Sequence, residues 1–256
     1  DLLEVLLPDS AHIQEKEAEW QLRHRRRGGK SEQGIPAPLY SVAQALASLK
    51  LLRPVCYGQP EKTAENVSVV FRDAGHILGS ASLEVTVSGE GKPRRLVFSG
   101  DLGMSDRPVL CDPAPSPTEA DVLLIESTYG DRLHRSLPET EDEIVAAFER
   151  TRAAKGNLII PAFAVGRTQE IIYMLADLVR RKRLSPLKVY VDSPMANAAT
   201  RITLANQNLL DAETCELIAW LKAHPKQMSV ELVADVERSI QLNDIRSGAV
   251  IISASG

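Results

Sequence analysis

The sequence predicts an α/β protein in two parts. Consecutive short β-branched blocks fill the first half, long helical stretches alternate with short apolar blocks in the second, and the composition is that of an ordinary globular chain. With 44% apolar and 25% charged side chains in 256 residues, wholesale disorder, collagen-like repeats and a coiled-coil rod are excluded. Length alone allows one large domain or two.

The segment 11–27 is charged and helix-favouring and ends at Gly28-Gly29; 41–52 reads as a second helix opened by a Ser41 cap. Strands are expected at 67–72, 82–87, 95–98 and 122–125, with a turn at 88–91, giving a sheet of largely consecutive strands. After Tyr129-Gly130 the pattern changes. Pro138 opens a helix with acidic residues in its first turns, and Gly156 closes it. A strand at 158–160, a helix at 168–183, a strand at 188–191, further helices to about His224 and a strand at 249–252 follow, a rhythm that implies parallel βαβ units. The expected domains are therefore 1–133 and 134–256.

Thirty basic against 34 acidic side chains give a net charge of −4, which excludes a globally basic nucleic-acid coat but not a local basic groove. Cys56, Cys111 and Cys215 are odd in number and far apart, so neither a disulfide framework nor a CxxC zinc site is available, and a cytoplasmic, reducing setting is expected. No apolar run approaches the ~20 residues that span a bilayer, and no signal peptide is visible, so no membrane partner is expected. The chain starts at Asp1 without a methionine and stops at Gly256 directly after an apolar run, so a piece of a longer protein is expected.

Three blocks carry chemistry. Asp73-Ala74-Gly75-His76-Ile77-Leu78-Gly79-Ser80-Ala81 places a histidine just beyond a strand, between glycines that let the backbone turn sharply. Phe98-Ser99-Gly100-Asp101-Leu102-Gly103 does the same with an aspartate, and Ile125-Glu126-Ser127-Thr128-Tyr129-Gly130 with a glutamate. Singly, Asp101 reads as a turn cap and His76 as a hydrogen-bonded loop residue. Together, three strand ends bearing His, Asp and Glu suggest a rim where oxygen and nitrogen donors meet on a metal.

These blocks resemble successive motifs of the β-CASP branch of the metallo-β-lactamase fold, the branch of the cleavage and polyadenylation nuclease subunit and its bacterial and archaeal RNase relatives. Pro161-Ala162-Phe163-Ala164-Val165-Gly166-Arg167-Thr168-Gln169, Val191-Asp192-Ser193-Pro194-Met195-Ala196 and Ile251-Ile252-Ser253-Ala254-Ser255-Gly256 agree in order, and Leu7-Pro8-Asp9-Ser10-Ala11-His12-Ile13-Gln14 is similar to the bacterial members. The resemblance implies a partial metallo-β-lactamase αββα sandwich, 1–133, with most of an inserted β-CASP domain of parallel βαβ units, 134–256. It implies zinc-dependent hydrolysis of RNA phosphodiester bonds, two zinc ions as cofactors, and single-stranded RNA as partner, with a homodimer left open. His76 matches a ligand of one zinc, Asp101 the aspartate that bridges two, and Glu126 the acidic residue that holds a catalytic histidine in position.

The family's His-x-His-x-Asp-His signature is absent from the sequence, as are its two later histidines. His12, His24 and His224 read as solvated residues; a site role for His134, on the Glu126 loop, is the weaker of its two readings. Two clear ligands fall short of the roughly six a dinuclear site takes, so the isolated chain is expected to bind zinc weakly and to be inactive. The Phe163–Thr168 turn leads into a helix whose amides could meet a phosphate beside Gly166 and Arg167. Ser193, Ser255 and Gly256 end parallel strands, the edge where open α/β sheets bind ligands. Phe163 reads as a base-stacking ring or as a packed one. The basic runs 23–27 with Lys30, and 180–183, read as solvated faces. Two competing functions remain: a non-catalytic RNA-binding or scaffold paralogue, and another metallo-hydrolase of the same fold.

Overall fold

The computed structural model of the chain describes residues 1–27, 37–115, 117, 119–233 and 235–254. Its contacts divide it into two compact units, Asp1–Pro54 and Val55–Gly256. In the first unit, helix α1 (Leu2–Arg27) packs on α2 (Val42–Leu49). The α1 helix starts nine residues earlier than the charge pattern suggests, running through Pro8. That proline has no N–H to give to the carbonyl one turn back, the usual reason to expect a break. Helix α2 opens as expected with a capping box: Ser41 Oγ accepts from Gln44 N at 3.2 Å, and Gln44 Oε1 accepts from Ser41 N at 2.8 Å. Gln14 and Glu15 of α1 accept from the amides of Leu39 and Val42. This local satisfaction makes residues 1–54 a compact unit, a separation that hydropathy along the chain does not mark.

The second unit holds two sheets. The first has five strands in sequence order: β1 (Pro60–Ala64), β2 (Val67–Asp73), β3 (Ala81–Val87), β4 (Arg94–Phe98) and β5 (Val122–Leu124). The first four form an antiparallel meander, and β5 returns parallel to β4 with Phe98 beside Leu124. β1 was not expected: it is polar, starts on a proline and is mostly exposed, which suits the edge of a sheet and gives no apolar signal. On β3, buried Glu84 pairs with Arg72 of β2 at 2.7 Å and Arg95 of β4 at 3.1 Å, tying three strands by their side chains.

The remaining chain alternates helix and strand: α3 (Leu137–Ala153), β6 (Leu158–Ala162), α4 (Arg167–Arg180), β7 (Leu187–Asp192), α5 (Pro194–Ala205), α6 (Ala212–Ala223), β8 (Met228–Leu232), α7 (Val236–Gln241) and β9 (Ala249–Ala254). The four strands are all parallel, in the order β6-β9-β7-β8. Their core joins Val189, Val250 and Ile252 to Leu175 and Leu178 of α4 and Leu217 of α6, all nearly or wholly buried. β8 and α7 were not expected: each is short, and β8 carries Ser229 and Glu231 among its apolar residues. The three arginines of the 180–183 run are ion-paired: Arg180 and Arg181 with Asp177, and Arg181 and Arg183 with Glu141 on α3.

Candidate active site

β2 and β4 both run antiparallel to β3, and β5 runs parallel to β4, so the chain leaves β2, β4 and β5 at the same edge. His76, Asp101 and Glu126 follow these three strands within three residues, and all three line one cavity of about 390 Å³. His76 Nε2 and Asp101 Oδ2 lie 3.9 Å apart, with side chains 44% and 78% exposed. The donors thus sit together and hydrated.

The loops are held from below. Ser80 Oγ accepts from the amides of His76 and Ile77, at 3.1 and 3.2 Å, and Asp73 accepts from Gly75 N at 2.9 Å. Tyr57 donates its hydroxyl to Ser80 O at 2.8 Å, and its own pKa is pushed up to about 12 by burial and by the nearby Asp73. Gly75, at φ +61°, lies against Pro113 so closely that a Cβ there would come within 2.8 Å of the proline nitrogen. At Gly103 a Cβ would fall 1.9 Å from Gly75 O, so the His76 and Asp101 loops meet backbone to backbone. Glu126 completes the arrangement: Oε1 accepts from Leu102 N at 2.7 Å, and its own amide donates to Ser99 Oγ at 3.0 Å. The Leu102 bond, then Thr128 and more weakly His76, hold the Glu126 carboxyl below its ordinary pKa, so it stays anionic. Its partner here is the backbone beside Asp101, which ties the Glu126 and Asp101 loops together.

Across the cavity stands the turn after β6. Gly166, at φ +79°, caps α4 and packs on the His76 loop, where a Cβ would sit 3.3 Å from Ile77 Cγ2. Three amides of this turn, the ones expected to meet a phosphate, already have partners within the chain. Gly166 N donates to Gln169 Oε1 at 2.8 Å, Arg167 N to Val165 O and Thr168 N to Phe163 O. Buried Gln169 closes the turn further by donating to Ala164 O and Thr200 Oγ1. What faces the cavity is the Arg167 guanidinium, already 2.6 Å from Glu170. Phe163 is 73% exposed at the cavity, so the packed-core alternative for its ring is also overturned. Ser193 does not line the cavity; its Oγ caps α5 by accepting from Ala196 N at 3.2 Å. Ser255, Gly256 and Lys30 lie outside the described residues.

His134 does reach the cavity, its ring 3.9 Å from that of Tyr129, with Arg132 over the same tyrosine at 4.7 Å. His12 and His24 are exposed residues of α1 and His224 is the exposed C-cap of α6, the last two resting on Trp20 and Trp220 one turn earlier. Gln169 and Tyr129 were within the quoted motifs but not singled out, and Glu170 directly follows one of them; their polar or aromatic character in loops that follow strands was the available signal.

Among the described residues no group of three or more His, Cys, Asp or Glu side chains converges closely enough to hold a metal ion. His76 and Asp101 are donors of the right type, but these residues by themselves do not make a metal centre.

Residues 168–256 match the Beta-Casp domain. Over 219 residues the chain is 36% identical to Ribonuclease TTHA0252 of Thermus thermophilus, covering 86% of this chain and 49% of that protein. It is 30% identical to an RNase J-like protein of Methanocaldococcus jannaschii, over 63% of this chain and 38% of the relative. It is 28% identical to the cleavage and polyadenylation specificity factor subunit 3 of Dictyostelium discoideum, over 64% and 21%. The chain thus spans about half the length of these curated relatives, or less. With donors at three strand ends of one sheet facing the Gly166-Arg167 turn of a parallel α/β sheet, and with these matches, the chain belongs to the β-CASP family of the metallo-β-lactamase fold.

Proposed function

We propose that this chain forms the cleft of a zinc-dependent ribonuclease that hydrolyses phosphodiester bonds of single-stranded RNA. The observation that supports it most is the meeting of the His76, Asp101 and Glu126 loops with Arg167 and Phe163 at one cavity. His76 and Asp101 furnish two metal donors, and the rest of the donor set is not supplied by the described residues. Glu126 keeps the Asp101 loop in place through Leu102 N–H. Arg167 meets a phosphate oxygen by exchanging or sharing its Glu170 partner, and the exposed Phe163 ring offers a face to a base. The names of the relatives, a ribonuclease and a cleavage factor subunit among them, agree with this reading.

A non-catalytic RNA-binding role is favoured by one observation, the lack of a three-donor cluster among the described residues. The decisive assay is RNA cleavage by the full-length protein and its Asp101→Asn variant. The nuclease reading requires cleavage by the wild type and loss of cleavage in the variant, with melting temperature and RNA binding retained. Undiminished cleavage by the variant removes Asp101 from the site. The 256-residue chain alone should neither cleave RNA nor take up zinc stoichiometrically after demetallation and reconstitution.

A further inference from the structure

The segment 99–115, which carries Asp101 and walls the cavity with Arg107, Pro108, Val109, Leu110 and Cys111, has no regular secondary structure of its own beyond an isolated bridge at Leu110. Excursions of this length are mobile unless something fixes them. Its base is fixed to the His76 loop: Gly103 N donates to Ala74 O at 2.8 Å, and Ala114 N to Asp73 O at 2.9 Å. Its tip is fixed elsewhere, to the start of α6. Val109 N donates to Thr214 Oγ1 at 3.1 Å in a buried contact between residues 105 apart in sequence. Asp211 N returns a bond to Val109 O at 3.2 Å, and Leu110 forms an isolated antiparallel bridge with Leu210. Asp211 is also the α6 cap, its Oδ1 accepting from Thr214 N at 2.6 Å, so one helical turn serves as cap and as clamp.

Val109 sits at φ +89°, a region a β-branched residue enters only when its surroundings over-determine it. The surroundings are these contacts, with Val109, Leu210 and Thr214 all buried. Val109 also borders both the cavity of about 390 Å³ and a second, largely apolar one of about 470 Å³ lined in the main by α4, α5, α6 and β8. A residue in a strained conformation thus carries the bonds that link the Asp101 segment to a helix packed on the other sheet.

We infer that Val109 and Thr214 are positioning residues: their clamp keeps the Asp101 wall in register with the Arg167–Phe163 wall, so that RNA held by one side is presented to the other. The inference rests on the nuclease reading of the cavity. Thr214→Val in the full-length protein removes the acceptor for Val109 N–H at nearly constant volume. Amide exchange of the peptide spanning Val109 should then rise ~10-fold, as for loss of one buried hydrogen bond, while peptides from β7 and β9 stay unchanged. The kcat for a single-stranded RNA should fall ~10-fold with the Kd for an uncleavable 2′-O-methyl analogue unchanged, and Thr214→Ser should restore both readouts. Val109→Gly, which relieves the strain but keeps both backbone bonds, should retain the slow exchange and guards against a Thr214→Val protein that does not fold. Unchanged exchange at Val109, or a uniform rise across all peptides, overturns the clamp. A kcat that stays at the wild-type value despite faster exchange overturns the positioning role. If the wild-type protein cleaves no RNA, the nuclease reading and with it the positioning role are lost, and the exchange measurement still judges the clamp separately.

Discussion

Val189, Val191, Val250 and Ile252 at the centre of the parallel sheet are almost wholly inside the protein, whereas Val122, Leu123 and Leu124 of the outer strand β5 of the other sheet, and Ile125 just after it, stand roughly half in solvent. The residue types are the same; the connections differ. Parallel neighbours require crossovers, and in the parallel sheet those crossovers carry helices that cover its strands, as α4 and α6 do. In the other sheet the first four strands are joined by loops, and the crossover that returns β5 parallel to β4 carries no helix among its described residues, so neither connection brings a covering element. Its loops are instead free to carry hydrated groups, and it is this sheet whose strand ends bear His76, Asp101 and Glu126. Burial followed connectivity here more than hydropathy, and the chemistry lies on the less covered side.

The largest expected effect belongs to the covered sheet. Leu175→Ala should lower the stability of the chain by about 2–5 kcal/mol in urea denaturation, because a wholly buried side chain leaves a cavity that the packed core cannot fill. Glu84→Ala on the meander should cost less, about 1–2 kcal/mol, since the two arginines it strands are themselves 31% and 42% exposed. A loss matching that of Leu175→Ala would mean that the meander depends on its ion triad as the parallel sheet does on its core. Arg167→Ala in the full-length protein should reduce the slope of log binding constant against log salt by about 1, as one phosphate contact is removed. A slope that does not move leaves Arg167 paired only with Glu170.

Smaller still is the pH effect. The Glu126 carboxyl is held below its ordinary range, so the stability carried by its bond to Leu102 N–H is present above that range and fades as pH falls through the lowered value. Melting temperature should therefore drop less on acidification from about pH 5 to pH 3 in Glu126→Gln than in the wild type. Parallel curves would show that the bond contributes nothing measurable. Smallest of all, Leu123→Ala on the half-exposed strand should change stability by no more than about 0.5 kcal/mol. A cost near that of Leu175→Ala would show that β5 is covered in solution and would break the comparison between the sheets.

Strands rich in valine, isoleucine and leucine were legible from the sequence because apolar blocks bounded by turn residues have few other uses; β2, β3, β4, β6, β7 and β9 all fall near where they were expected. β1 was not, since an exposed edge can be built from Pro60, Glu61 and Lys62 without any apolar signature. His76, Asp101 and Glu126 were legible as a group because each follows a strand at a sharp or hydrogen-bonded loop. The Val109–Thr214 contact was not, because a hydrogen bond between residues 105 apart leaves no local pattern. The engaged amides around Gly166 were hidden for a related reason: a helix start read from sequence shows where N–H groups lie, but not that a buried Gln169 has already taken one.

The order β6-β9-β7-β8 has a consequence for how the chain comes into being. β9 is the last of these four strands to be synthesised, yet it takes an inner place between β6 and β7. Until residues 249–254 are made, β6 has no strand partner and β7 can pair only with β8, so two of the sheet's three ladders cannot form. Closing the sheet is a late, long-range pairing, the kind that forms slowly and leaves strand edges open to association in the interval.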